Sequence, residues 1–326
     1  MRLARRGFLG AGLGLAVAGM GRAAKPHWPG ALVMGTGRPG GAFAIFGPAW
    51  GELAKHETGI DIAYRATGGS SANLLLIEEG NAQLGLSSVA VAAQARAGKG
   101  SWTAGVKLDG FRALFPAYPS VLQIISTPAN GIADLASLHG RSVGVGPQGA
   151  SGAAMVKAIL ASLGVIPGRI ETGDYEQQML QMLAGKLGAC AFIGAPPLPA
   201  ISAAAMGRKL QLIGFSLAES AQAANAVPGL SRMILPANTF PGQSVDVGSV
   251  GTLNIAICAA KLPDNLARAV TAAALKNRHL LAAAVRAAAD TPPAQPVYEA
   301  GISFHPGAAK ALREAGISLP RSAVQG

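Results

Sequence analysis

The chain has 326 residues, enough for two ordinary α/β domains at roughly 100–200 residues each. Half of it is apolar and 13% is charged, which excludes a disordered chain, and the 5% of aromatics beside abundant Ala and Gly suits helices packed on a parallel sheet. The formal charge is +11, and no Lys/Arg run with interleaved aromatics accompanies it, so it reads as scattered surface charge and not as a nucleic-acid patch; an anionic ligand would also gain some steering from it.

Arg5-Arg6-Gly7-Phe8-Leu9 is a twin-arginine pair followed by two apolar residues. Phe8–Met20 is an apolar stretch too short to span a bilayer, and small residues follow at Ala23-Ala24. Residues 1–23 are therefore expected to be a cleaved export signal, on the twin-arginine or the general secretory route. Ala4 stands where Ser or Thr is more usual for the former. The segment carries Arg2, Arg5, Arg6 and Arg22 and no acid, so its removal takes the charge from +11 to +7.

Beyond it, short apolar runs alternate with helical patterns, the signature of βα units. The expected elements are a strand at Ala31–Gly35, a helix at Ala44–Lys55 and a strand at Ile60–Ala66. A helix at Ala72–Glu79, a strand at Ala82–Ser87 and a helix at Val89–Arg96 follow. Phe111–Phe115 and Leu122–Ser126 read as two further strands. A second rhythm then begins: a short helix at Asp134–Leu138, a strand at Arg141–Gly146, and a helix running from about Gly152 to Leu163. Tyr175–Ala184 reads as a helix, Leu187–Ile193 as a strand, and Leu210–Phe215 as another strand. Val247–Ala259 is a long strand region. Asp264–Ala289 is one long helix, or two broken near Asn277, and Pro306–Gly316 holds a last short helix.

The change of rhythm divides the chain into residues 25–125 plus 240–326 as one discontinuous domain and 126–239 as an inserted second. The crossings near Tyr118–Gln123 and Leu235–Pro241 would form a hinge. Cys190 and Cys258 lie in separate apolar runs and read as two buried free thiols. None of His27, His56, His139, His279 and His305 has metal-ligand spacing to another His or Cys, and no nucleophile elbow is present. No metal, cofactor or catalytic residue is expected.

Three glycine-rich loops share one design of strand, small-residue loop and helix. They are Gly35–Gly41, Thr67–Ser71 and Gly146–Gly152. Glycine lets the backbone approach a ligand, and the first turn of each helix offers unpaired N–H donors and the positive end of the dipole. A carboxylate or phosphate can bind there without side-chain charge. Ser70, Ser71 and Ser151 either cap their helices or bond the ligand, and Arg38 and Arg65 are candidate cationic contacts. The first loop formally reads G-x-G-x-x-G, the fingerprint of a dinucleotide site. Pro39 lies inside it, and the second strand ends in Arg65 where that site needs an acid.

Several of these pieces match a known family in order and spacing. They are Met34-Gly35-Thr36-Gly37 with Gly40-Gly41, Thr67-Gly68-Gly69-Ser70 with Asn73-Leu74, and Gly80–Gly85. Gly146-Pro147 with Gly149 and Ser151-Gly152, Gly194-Ala195-Pro196-Pro197, Phe240-Pro241-Gly242 and His305-Pro306-Gly307-Ala308 complete the set. From about Leu32 to Ile317 the chain resembles the TAXI group of solute-binding proteins, which serve TRAP-type secondary transporters. The resemblance implies a two-domain, type II periplasmic-binding-protein α/β fold with a hinge and an interdomain ligand cleft. It also implies a non-enzymatic, monomeric, periplasmic protein whose ligands are small carboxylates and whose partners are membrane permease subunits. Carried over, Thr36, Gly37, Gly41, Gly69, Ser70, Asn73, Ser151 and Pro196 line the cleft. The loops add Arg38, Gly40, Phe43, Gly68, Ser88, Gly149, Ala150 and Ala195 as candidate ligand-binding residues. Ala44, Ser88, Ala90 and Ala93 stand where the family commonly has an aromatic, Gln, Asp and Tyr. The expected ligand is therefore a small anionic solute without a charged amine. A ligand-sensing subunit or an exported enzyme on the same scaffold is the alternative.

Overall fold

The computed structural model describes residues 28–289 and 292–324. The expected export signal at 1–23, and His27, lie outside these residues. Ala31–Gly35 (β1), Asp61–Arg65 (β2) and Leu84–Ser88 (β3) form a parallel group with β1 in the middle. Ala42–Thr58 (α1), Ser70–Glu78 (α2) and Val89–Ala97 (α3) follow them in turn. A second parallel group consists of Ser142–Gly144 (β5), Arg169–Glu171 (β6) and Ala189–Gly194 (β7). Ser151–Ser162 (α4) follows β5 and Tyr175–Leu183 (α5) follows β6.

Two long strands join the groups. Phe111–Ser126 (β4) and Val247–Ala259 (β10) run antiparallel side by side, with β3 flanking β10 and β7 flanking β4. The resulting order is β2-β1-β3-β10-β4-β7-β5-β6. Gln211–Leu212 (β8) is added on β4 and Ser231–Leu235 (β9) on β10. The sequence suggests two strands where the structure has the single β4. Pro116 and Pro119 cannot donate to a ladder, yet the strand passes through both because its register with β10 shifts twice between Asn254 and Ile257. Tyr118–Gln123 lies within β4, and Leu235 ends β9, from which residues 236–246 lead to β10.

Differences elsewhere have local causes. Pro199–Ala205 (α6) starts directly after the proline-rich stretch, with Pro199 at its first position, where a missing N–H costs nothing. Leu217–Ala226 (α7) is entered through a capping box: Ser216 Oγ accepts from Glu219 N, and the Glu219 carboxylate accepts from Ser216 N. Neither helix, nor β6 or β9, is among the expected elements. Asp134–Leu138 is reduced to a short 3-10 turn at Ala136–Leu138, and Leu210–Phe215 keeps only two strand residues. The long C-terminal helix is two, Asp264–Lys276 (α8) and Arg278–Ala284 (α9), broken at Asn277. Gln295–Glu299 (α10) and Pro306–Glu314 (α11) close the chain.

The main core surrounds β1, β3, β4 and β10. Trp50 on α1 is fully buried, meets Phe115 edge-on at 5.2 Å, and donates from Nε1 to Val270 O on α8 at 3.0 Å. Alternating Ala, Leu and Ile fill β10, whose Leu253–Cys258 are buried on both faces. A smaller cluster of Met179, Met182, Cys190, Phe192 and Leu198 lies under α5 and α6. Cys190 and Cys258 are both free and buried, and burial pushes the Cys190 thiol up to about 12. No helix among the described residues is long and apolar enough to cross a membrane.

Candidate ligand-binding site

A cavity of about 120 Å³ opens where the starts of α1, α2 and α4 meet beside β4 and β10. By the same measure one water needs about 10–15 Å³, so the space suits a small organic molecule. One wall is backbone. Gly37, Gly41 and Phe43 come from the first glycine loop, Gly68, Gly69 and Ser70 from the second, and Ala150, Ser151 and Gly152 from the third. The helices α1, α2 and α4 have no side-chain cap and no acid in the first turn. No hydrogen bond among the described residues reaches the N–H groups of Phe43, Ser70 and Gly152. These are the donors that helix geometry leaves unpaired, and the positive dipole ends lie with them.

The loops also touch each other across the cleft. Ser151 Oγ accepts from Ser71 N at 3.1 Å and lies 3.1 Å from Ser71 Oγ. A side chain at Gly68 would begin 3.0 Å from Gly149 O, and Gly69 holds φ at +102°, which only glycine adopts freely.

The opposite wall is side chain. Met155, Tyr175, Ile193 and Leu198 present an apolar surface. Tyr175 packs edge-on against Phe192 at 5.0 Å, and burial raises its hydroxyl pKa, so the group stays protonated. Gln123 fixes this wall from behind: its Nε2 donates to Gly194 O at 3.1 Å and its Oε1 accepts from Leu198 N at 3.3 Å. The floor comes from the two long strands, as Tyr118, Ser120, Thr252 and Asn254.

Eleven of the sixteen expected residues line this cavity. Gly37, Arg38, Gly41 and Phe43 do so beside Gly68, Gly69, Ser70 and Ser88, and Ala150, Ser151 and Ala195 face them. Arg38 is exposed at the rim and is the sole charged residue of the lining; no carboxylate is among it. Ser70 Oγ accepts from Ser88 N at 2.9 Å, and Ser88 caps α3 by accepting from Val91 N. The other five lie elsewhere. Thr36 is buried behind the wall and donates to Arg65 O; Arg65 itself is exposed on β2. Asn73 is wholly buried, donates to Thr36 O and Leu86 O at 2.8 Å, and accepts from Thr67 Oγ1 at 2.7 Å. It props up the wall that the loops present. Gly40 faces Tyr175 and Glu176, Pro196 follows the lining residue Ala195, and Gly149 borders a neighbouring groove of about 630 Å³.

Sequence reasoning misses the floor and most of the apolar wall. Thr252 and Asn254 lie inside a run read as a strand and Tyr118 lies between two such runs, and only the pairing of β4 with β10 brings them together at the cavity. His305 is buried and serves structure, since its Nδ1 accepts from Gly307 N at the start of α11.

This architecture, with two parallel βα groups joined by a pair of long antiparallel strands and a cavity at the helix starts, is the mixed α/β fold of periplasmic solute-binding proteins. A structure described as a periplasmic transporter superposes with a TM-score of 0.53 at 14% identity, covering 91% of this chain and 100% of its own. A Xanthomonas citri protein solved bound to ATP gives 0.52 at 8% identity, over 88% and 99%. A protein of Bordetella bronchiseptica RB50 gives 0.50 at 16% identity, over 90% and 91%. The model of the NMT1-like family matches residues 34–316, and the chain belongs to that family.

Proposed function

We propose that this chain is an exported solute-binding protein that captures a small organic anion and delivers it to a TRAP-type membrane permease. One observation carries the reading: three uncapped helix starts, none with an acid in its first turn, meet at a cavity lined by one arginine and no carboxylate. A carboxylate is held there by backbone N–H groups, with Arg38 adding long-range attraction at the rim. The eleven lining residues named above are the proposed contacts. The missing acid leaves an ammonium group without a partner, so the ligand is a carboxylate lacking one. The capture needs no catalytic residue.

The two halves of the sheet act as lobes, residues 25–125 plus 240–326 and 126–239, that close about β4 and β10. Residues 1–23 send the chain to the periplasm, where it works as a monomer. The motifs quoted in the sequence support placement in the TAXI group.

A thermal-shift screen of the mature chain against carboxylates, sulfonates, phosphates and amino acids tests this. A ligand at 100 times its dissociation constant adds about 2.7 kcal/mol of stability. A chain that no member of the screen stabilises is not a solute-binding protein of this kind.

A further inference from the structure

Tyr118, a residue of the cavity floor, carries a buried hydroxyl that no other described residue uses. Ser120 Oγ accepts from Asn254 Nδ2 at 2.7 Å, and the same amide donates to Tyr118 O at 3.0 Å. Thr252 Oγ1 accepts from Ala90 N at 3.2 Å. The Tyr118 hydroxyl, by contrast, is fully buried and has no hydrogen-bond partner among the described residues. Its ring is fixed, tilted against Phe46 at 4.9 Å and edge-on to Phe43 at 6.4 Å. Burial raises its pKa well above the usual value, so the hydroxyl keeps its proton and remains a donor. A desolvated hydroxyl without a partner is costly, and native proteins keep one where something else completes it.

We infer that the Tyr118 hydroxyl donates to an uncharged acceptor oxygen on the bound solute and thereby sets its specificity. This rests on the capture proposed above and deepens it. The solute then has three parts. A carboxylate sits at the starts of α1, α2 and α4. A compact apolar body lies along Met155, Ile193 and Leu198. A carbonyl or ether oxygen reaches Tyr118. A site built to hydrogen-bond a solute group discriminates strongly against analogues that lack it, because its own polar atom is then left unpaired.

Three matched probes and one variant test this on the mature chain: 4-methyl-2-oxopentanoate, 4-methylpentanoate and L-leucine, measured by calorimetry with wild type and Tyr118→Phe. The oxo acid should bind wild type at least tenfold tighter than the other two. Tyr118→Phe should weaken the oxo acid about tenfold or more, leave 4-methylpentanoate within about twofold, and melt no lower than wild type. Equal losses for both acids in the variant, or none, overturn the role of Tyr118. Leucine binding as tightly as the oxo acid, or wild type binding only solutes outside this trio, overturns the ligand class while capture stands. If no solute binds at all, the capture reading falls with it.

Discussion

The two walls of the cavity solve different problems with different materials. The wall from the three glycine loops offers backbone N–H groups between small residues, with Arg38 and Phe43 as its large side chains, while the wall from Met155, Tyr175, Ile193 and Leu198 is made of side chains. On the proposed function the first would sense charge and the second shape. Backbone recognition depends on what stands behind it, and here that is the buried Asn73 with its two carbonyl partners. The apolar wall has a matching brace in Gln123.

The comparison breaks most sharply at Gly68. In Gly68→Val the added carbon meets Gly149 O at 3.0 Å across the cleft, which should cost closure about 1–3 kcal/mol and weaken solute binding up to roughly a hundredfold. The melting point without solute should stay near wild type. If affinity survives, the loops do not approach each other in the bound form.

Next come the braces. Asn73→Ala leaves Thr36 O and Leu86 O without its amide, and Gln123→Leu strands Gly194 O and Leu198 N. Each should lower unfolding free energy in urea by about 1–3 kcal/mol. A neutral Asn73→Ala would move that residue from support to direct ligand contact.

A smaller effect is expected at the cross-cleft contact. Ser151→Ala removes both interactions with Ser71 and should weaken binding by about two- to tenfold with unchanged stability, consistent with about 0.5–1.5 kcal/mol for a hydrogen bond. Identical affinity would show that the backbone alone closes the site.

The smallest effect is pH dependence far from both walls. Burial lowers the His305 pKa below its usual 6.5. Between the lowered value and 6.5 the unfolded chain holds the extra proton, so stability is full above about pH 6.5 and is lost as pH falls through that window. Urea midpoints at pH 7.5 and 5 should show the drop, and His305→Gln should reduce it. The nearby Asp264 carboxylate, 3.7 Å away, opposes the shift only in part.

Much of the backbone wall was readable before the fold, because glycine loops between strands and helices announce themselves through local chemistry. β1, β10 and the start of α3 lie where the periodicity puts them, and Asn277 breaks the C-terminal helix where its composition allowed a break. What resisted reading depends on long-range pairing. Tyr118 and Asn254 are 136 residues apart and meet only because β4 and β10 pair. A single β4 runs through Pro116 and Pro119, and the register shifts beside them leave no trace in composition. Asn73 carried a binding-site pattern for a structural reason: its amide organises the loop that the glycines expose.

The long pair β4 and β10 also limits how this molecule can be taken apart. β10 pairs with β3 of the first parallel group and β4 with β7 of the second, and the two long strands pair with each other, so the central ladder joins the groups. Cutting the chain between the halves strips backbone partners from both pieces. On this architecture the loops and wall residues can vary while the paired scaffold stays the same.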